Sequence, residues 1–200
     1  MGNLDFTAVQ LDALREVGNI GAGNAATALS QLINKKIDMT VPAVNIVPFD
    51  DIFSRIGGEE VVAAVIVRVL GDTPGNILFI FDDNTAQNII ELLTGKKDDD
   101  FGEMAQSVLC EVGNIISGSY MNAIAKFTNL VIMPSVPAVT NDMLGAILST
   151  TFIEAGQFDD NVLDVETTFI NEDDIDINGH FYYVPMPGSL EKILSALGIS

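Results

Sequence analysis

A chain of 200 residues with 48% hydrophobic content and only short charge runs is long enough for one sizeable domain with a real core, and its composition excludes a disordered chain. Its 28 acidic and 9 basic residues give a formal net charge of -19. Such a surface repels phosphate backbones and anionic membranes, so neither nucleic acid nor a membrane is expected as a partner, whereas a basic or mixed-charge protein is compatible.

The first predicted element is a helix over 8–34, where Val9, Leu11, Leu14, Val17, Leu29 and Leu32 supply apolar positions at helical spacing. An extended piece through Val41-Pro42-Ala43-Val44 follows, then two β-rich runs over 61–70 and 76–81, with Gly71-Asp72-Thr73-Pro74-Gly75 as their hairpin loop. A short helix over 84–93 stops at Thr94-Gly95, and Asp98-Asp99-Asp100 reads as a solvated connector. A second long helix is predicted over 103–127, then an extended piece through Val136-Pro137-Ala138-Val139. Strand candidates follow at 148–152, 163–170 and 180–184, with Asn178-Gly179 as a two-residue hairpin turn. A short helix over 189–197 ends at Gly198.

This order contains a repeat. Glu16-Val17-Gly18-Asn19-Ile20 recurs as Glu111-Val112-Gly113-Asn114-Ile115, and Val41-Pro42-Ala43-Val44 recurs as Val136-Pro137-Ala138-Val139 at the same offset. The halves run over about 8–97 and 103–198. The expected architecture is an α+β single domain of two pseudo-two-fold related repeats, with a largely antiparallel sheet and the two motif helices packed on it.

On a helix turning about 100° per residue, Asp12, Glu16 and Asn19 fall within about 60° of one another, opposite Leu14, Val17, Gly21, Ala25 and Leu32. Ser107, Glu111 and Asn114 form the same stripe in the second copy, opposite Leu109 and Val112. One polar helix face is ordinary; the same Glu and Asn at one offset is not. Gly18 and Gly113 also recur, although glycine inside a helix costs about 1 kcal/mol relative to alanine, and a close contact between the two repeat helices is the expected reason. Asn is no general base, but its amide donates and accepts at once, which suits it to orienting a water. Geometry and electrostatics carry most of phosphoryl transfer. The Glu one turn away suits pairing with a partner's lysine. These residues imply a site completed by another protein that brings its own electrophile and metal.

Asp-x-x-x-Glu-x-x-Asn at 12–19 and Ser-x-x-x-Glu-x-x-Asn at 107–114 resemble the doubled signature of the CheC/CheX/FliY family of chemotaxis phosphatases, and the run from Glu16 to Ala28 is especially like its CheC branch. The resemblance covers essentially the whole chain. CheX-type members carry one such motif, and FliY-type members add a flagellar-switch domain for which 200 residues leave no room. The resemblance implies hydrolysis of the aspartyl phosphate on the response regulator CheY. It implies that Asn19 and Asn114 place the attacking water, that Glu16 and Glu111 pair the regulator's active-site lysine, and that Asp12 and Ser107 are supporting motif positions. It implies no cofactor of the chain's own, with Mg²⁺ on the regulator, and a second partner in the receptor deamidase CheD. The rival expectation is a non-catalytic chemotaxis or flagellar-switch adaptor that acts mainly by binding CheD.

Several other features carry less. Gly21-Ala22-Gly23-Asn24-Ala25-Ala26 matches a dinucleotide fingerprint, but that motif needs a preceding strand and residues 11–20 are periodic as a helix. Asp174-Ile175-Asp176-Ile177-Asn178-Gly179 opens like a calcium loop, yet Pro185 stands where its bidentate Glu belongs. The other acidic groups, Asp50-Asp51 and Asp82-Asp83, read as solvated loops. The single cysteine, Cys110, excludes an intramolecular disulfide and reads as a buried inert thiol; the single histidine, His180, rules out histidine-rich zinc sites. No apolar run reaches the ~18 residues of a membrane span. The first residues lack a basic-then-apolar leader, and Phe6 stands where myristoylation wants Ser or Thr. A cytoplasmic protein is expected.

Overall fold

The computed structural model describes residues 7–48, 59–98, 100–155, 161–171 and 176–198. The chain order is α1 (Ala8–Ile33), β1 (Ile37–Met39), β2 (Ala43–Pro48), β3 (Val61–Gly71), β4 (Gly75–Phe81), α2 (Asp83–Thr94), α3 (Glu103–Thr128), β5 (Ile132–Pro134), β6 (Ala138–Met143), α4 (Leu144–Ala155), β7 (Asn161–Asn171), β8 (Asp176–Pro185) and α5 (Ser189–Ala196). All described pairings are antiparallel. β7, β8, β4 and β3 lie side by side; β1 and β2 both pair with β7 at one edge, and β5 and β6 both pair with β3 at the other.

The pairing register reveals the pseudo-two-fold axis. Val65 on β3 pairs with Phe79 on β4, and Val165 on β7 pairs with Phe181 on β8. Phe79 and Phe181 are themselves partners across β4 and β8, with ring centroids 5.1 Å apart. The axis therefore passes between these two rings, and equivalent strands meet at the centre of the sheet.

Both sheet faces are covered, so the central strands are apolar on both sides rather than alternating with polar residues. On β3, Ala63, Val65, Val67 and Val69 point into the larger core, under α1, α2, α3 and α5. Val62 and Ala64 point the other way, into a smaller core with Leu144, Ile147 and Leu148 of α4. α1 and α3 cross the larger face side by side. A Cβ on Gly21 would lie 2.7 Å from Tyr120 Cδ1 and 3.1 Å from its Cα, so glycine there allows the helices to touch. The Tyr120 ring stacks on Phe181 at 4.6 Å, and its hydroxyl lies 3.2 Å from Thr167 Oγ1.

Burial pushes the Tyr120 phenol up to about 12, and does the same to Tyr183, whose hydroxyl donates to the Thr73 carbonyl at 2.8 Å. Below pH ~10 both phenols are protonated folded and unfolded, so their burial costs nothing extra. As pH rises from about 10 to about 12 the unfolded chain ionises while the folded one holds its protons, and stability falls. The expected loss is about 2–3 kcal/mol per tyrosine by pH 12, measurable as a falling urea midpoint. Tyr120→Phe should remove roughly half of that slope.

The structure corrects several expectations. Residues 148–152 are not a strand but part of α4; Leu144, Ile147, Leu148 and Thr151 are buried at helical spacing on one face. Asn178-Gly179 is not a turn. It lies within β8, opposite Thr168 and Thr167, because the register is set by Ile177, Phe181 and Tyr183 facing the larger core. Val9 and Leu32 are not core positions of α1, being 64% and 36% exposed. Asp82 is the N-cap of α2, accepting from the Thr85 amide at 2.7 Å, and Asp83 opens its first turn. Asp98 is more than a solvated connector, since the buried Gln87 side chain holds both its carbonyl (2.9 Å) and its amide (3.0 Å). Asp50-Asp51, Asp99 and the opening Asp174-Ile175 of the calcium-like run lie outside the described residues.

Candidate functional site

α1 and α3 start 95 residues apart and are both 26 residues long, so Glu16-Asn19 and Glu111-Asn114 occupy the same turns of equivalent helices. α1 is opened by Thr7, whose hydroxyl accepts from the Gln10 amide at 3.3 Å while Gln10 Oε1 accepts from the Thr7 amide at 2.8 Å. Both helices end on an asparagine in the left-handed region, Asn34 (φ 55) and Asn129 (φ 56).

The rotation of each helix is fixed from below. Leu14, Val17 and Gly18 of α1, and Leu109, Val112 and Gly113 of α3, face the sheet. Contrary to the expectation of a helix-to-helix contact, Gly18 and Gly113 do not meet each other but face the sheet. A Cβ on Gly18 would lie 3.3 Å from Val44 Cγ2 and 4.0 Å from Val165 Cγ1, and one on Gly113 would overlap Val65 Cγ1. Val44 and Val165 are cross-strand partners, as are Val139 and Val65. Each motif glycine thus seats its helix low over the equivalent valine pair. The helix-to-helix contact belongs instead to Gly21, within the run that matches a dinucleotide fingerprint; no strand precedes that run, which is the middle of α1.

With the glycines down, the stripe points up. Asp12 and Glu16 are exposed and Asn19 half-buried; Ser107, Glu111 and Asn114 are all exposed. The copies differ at their first position. Ser107 donates to the Glu103 carbonyl one turn back at 2.7 Å, whereas Asp12 pairs with Arg15 Nη1 at 2.7 Å. Arg15 stands at the position that Cys110 occupies in the second copy. Beside the second stripe, Ser107, Cys110, Glu111 and Asn114 form one wall of an open groove, and Pro134, Ser135, Val136 and Pro137 the other. Cys110 is half-buried here rather than in the core; its Sγ lies 3.6 Å from the Pro137 carbonyl, and burial pushes the thiol up, away from the reactive thiolate. His180 is remote from both stripes, on β8, with Nδ1 3.6 Å from the buried Asp164 carboxylate and its ring stacked on Tyr182.

Among the described residues no three His, Cys, Asp or Glu side chains converge as a metal would require, and no helix is long and apolar enough to cross a membrane. Each stripe therefore offers a carboxylate and an amide on an open surface, and the second has an apolar loop beside it. The loop walls escaped the sequence reading as site elements. Their signal was present, since the Val-Pro-Ala-Val element repeats at the offset of the stripe.

Fold and site together define a tandem-repeat α+β protein that displays one polar helix face twice. The CheC-like family model matches residues 9–46 and 104–140, which contain both stripes. The CheY-P phosphatase CheC of Bacillus subtilis is 41% identical over 198 residues, spanning 96% of this chain and 95% of that protein. The chain belongs to the CheC-like family. Among solved structures, Thermotoga maritima FliY superimposes with a TM-score of 0.80 at 23% identity over 98% of each chain. The CheX-CheY-BeF3-Mg+2 complex from Borrelia burgdorferi matches with a TM-score of 0.51 at 20% identity, over 82% of this chain and 94% of that one. Both likenesses are of fold.

Proposed function

We propose that this protein is a phosphatase that hydrolyses the aspartyl phosphate of the response regulator CheY. The observation that carries the reading is the pair of outward-facing Glu-x-x-Asn stripes on equivalent turns of two equivalent helices. The name of its 41% identical relative agrees with it. In this reading Asn19 or Asn114 enters the regulator's active site and holds a water in line with the phosphorus. The water's oxygen bonds to phosphorus as the bond to the aspartyl oxygen breaks, releasing phosphate and the aspartate carboxylate. The amide cannot take the proton, so its work is alignment. Glu16 or Glu111 pairs the regulator's lysine and fixes the register. Ser107, tied to its own helix, and Asp12, tied to Arg15, hold the first turn of the stripe. The Mg²⁺ belongs to the regulator, and this chain supplies no cofactor of its own. The site of action is the cytoplasm, and CheD is a second, regulatory partner.

The test is the rate of phosphate loss from phosphorylated CheY with and without the protein. Acceleration is the expected result. CheY phosphate that decays at its own rate at saturating protein would sink the phosphatase reading and leave the adaptor in its place.

A further inference from the structure

The two edges of the sheet carry the same device, and the second copy lies beside the second stripe. β1 and β2 both pair with β7, but the register slips by one residue between them. Met39 faces Phe169 and Ala43 faces Glu166, so Thr40, Val41 and Pro42 oppose only two residues. The other edge repeats this. Pro134 faces Val69 and Ala138 faces Ile66, so Ser135, Val136 and Pro137 oppose two. Each edge therefore has a β-bulge, a feature that re-aims a side chain and is common beside active sites.

The residue thrown outward is the same in both. Val41 is 72% and Val136 88% exposed, the two most exposed large apolar side chains among the described residues. Neither bulge is a loose loop. The Thr40 amide donates to the Thr168 carbonyl (2.9 Å) while the Thr168 amide donates to Thr40 Oγ1 (3.1 Å). The Ser135 amide donates to the Arg68 carbonyl (2.8 Å) while the Arg68 amide donates to Ser135 Oγ (3.0 Å). The proline after each valine holds the valine extended. A rigidly presented, solvated valine gains nothing for the fold, and here it occurs twice at one offset. Val136 shares its groove with Glu111 and Asn114. Two turns before each stripe Glu, on the same helix face, a further exposed apolar residue recurs as Val9 and Met104.

We infer that Val41 and Val136 are docking residues, each packing against an apolar patch on the regulator beside its phosphorylated site while the neighbouring Glu and Asn reach into it. Val9 and Met104 bracket the other end of the same contact. The inference rests on the phosphatase reading above, because the stripe that the valines flank is the part that reading assigns to the regulator. A docking residue acts on binding alone, so it separates from the asparagines in kinetics.

The experiment compares wild type with Val41→Ser/Val136→Ser and Val41→Asp/Val136→Asp. It measures kcat and KM for phosphorylated CheY, and affinity for CheY activated by Mg²⁺ and beryllofluoride. Both side chains are solvated, so circular dichroism and urea midpoints should not change. The serine pair should raise KM and the dissociation constant about 5- to 30-fold, and the aspartate pair further, with kcat unchanged. Met104→Ser in the serine pair should weaken binding again. Wild-type KM and affinity in the aspartate pair would overturn the inference while leaving the phosphatase reading intact. So would a change only in sedimentation, which would make the valines a contact between copies of this chain. A wild-type protein that neither accelerates phosphate loss nor binds activated CheY overturns both.

Discussion

Replacing both asparagines, Asn19→Ala together with Asn114→Ala, should lower CheY-phosphate hydrolysis by about 100-fold or more, towards the regulator's own rate, whereas each single replacement should leave a substantial fraction. The size follows from the role. An amide that holds a water in line does nothing that alanine can replace, and removing one preorganised polar group from a transition state costs about 10²–10³ in rate. The partial effect of a single change follows from the architecture. The stripes lie on separate helices that reach solvent independently, so one intact copy continues to work. Asn114 is exposed and Asn19 half-buried, and alanine is the better helix former, so loss of fold is not expected to confuse the result. The two Glu changes should behave differently, raising KM more than they lower kcat, since that residue sets register. Phosphate-release kinetics on the five variants check this. A double asparagine variant as active as wild type would rule out the water-positioning role.

The doubled stripe is legible in the sequence because two independent regularities coincide there. Helical period places Asp12, Glu16 and Asn19 on one face, and the repeat brings the same pattern back at Ser107, Glu111 and Asn114. The helix rotation was readable from Leu14, Val17, Leu109 and Val112, all buried as the wheel requires. What a wheel gives is a face, not a neighbour. Hence the wheel suggests helix–helix contact for the motif glycines, which in the fold rest on valines of the sheet. Residues 148–152 mislead for another reason. A short apolar stretch with Thr150 and Thr151 has no decisive period, and only the burial of Leu144, Ile147 and Leu148 against β3, β4 and β8 shows the helix. Asn178-Gly179 is a strong turn signal that tertiary register overrides: moving the turn there would misalign Phe181 and Tyr183 with the larger core. The bulges at Val41 and Val136 were beyond reach for the same reason. A slip of one residue belongs to a pair of strands, and one strand's sequence does not contain it.

The seating of the helices predicts the largest stability effects. Gly21→Ala and Gly113→Ala should each destabilise by about 1–3 kcal/mol, net of the ~1 kcal/mol that alanine gains inside a helix. Gly18→Ala should be close to neutral, and Gly23→Ala and Gly118→Ala should stabilise by about 0.5–1 kcal/mol each. The ordering comes from what a new methyl would meet. At Gly113 it overlaps Val65 Cγ1, a stiff β-branched side chain locked in the central strand β3, and at Gly21 it presses on Tyr120 down to its backbone. At Gly18 the 3.3 Å approach to Val44 asks for a shift of a few tenths of an ångström, and at Gly23 and Gly118 nothing lies within 4 Å. Urea midpoints for the five variants give the order directly, and a Gly113→Ala protein as stable as Gly23→Ala would show that α3 is not seated as described. The same series bears on function. Lifting α3 off Val65 moves Glu111 and Asn114 relative to the groove wall at Val136, while α1 and its stripe stay put. In an Asn19→Ala background, where only the second site works, Gly113→Ala should therefore lower hydrolysis about tenfold or more. In an Asn114→Ala background it should leave the rate nearly unchanged. Equal losses in the two backgrounds would mean that the glycine serves the fold as a whole and not the height of its own stripe.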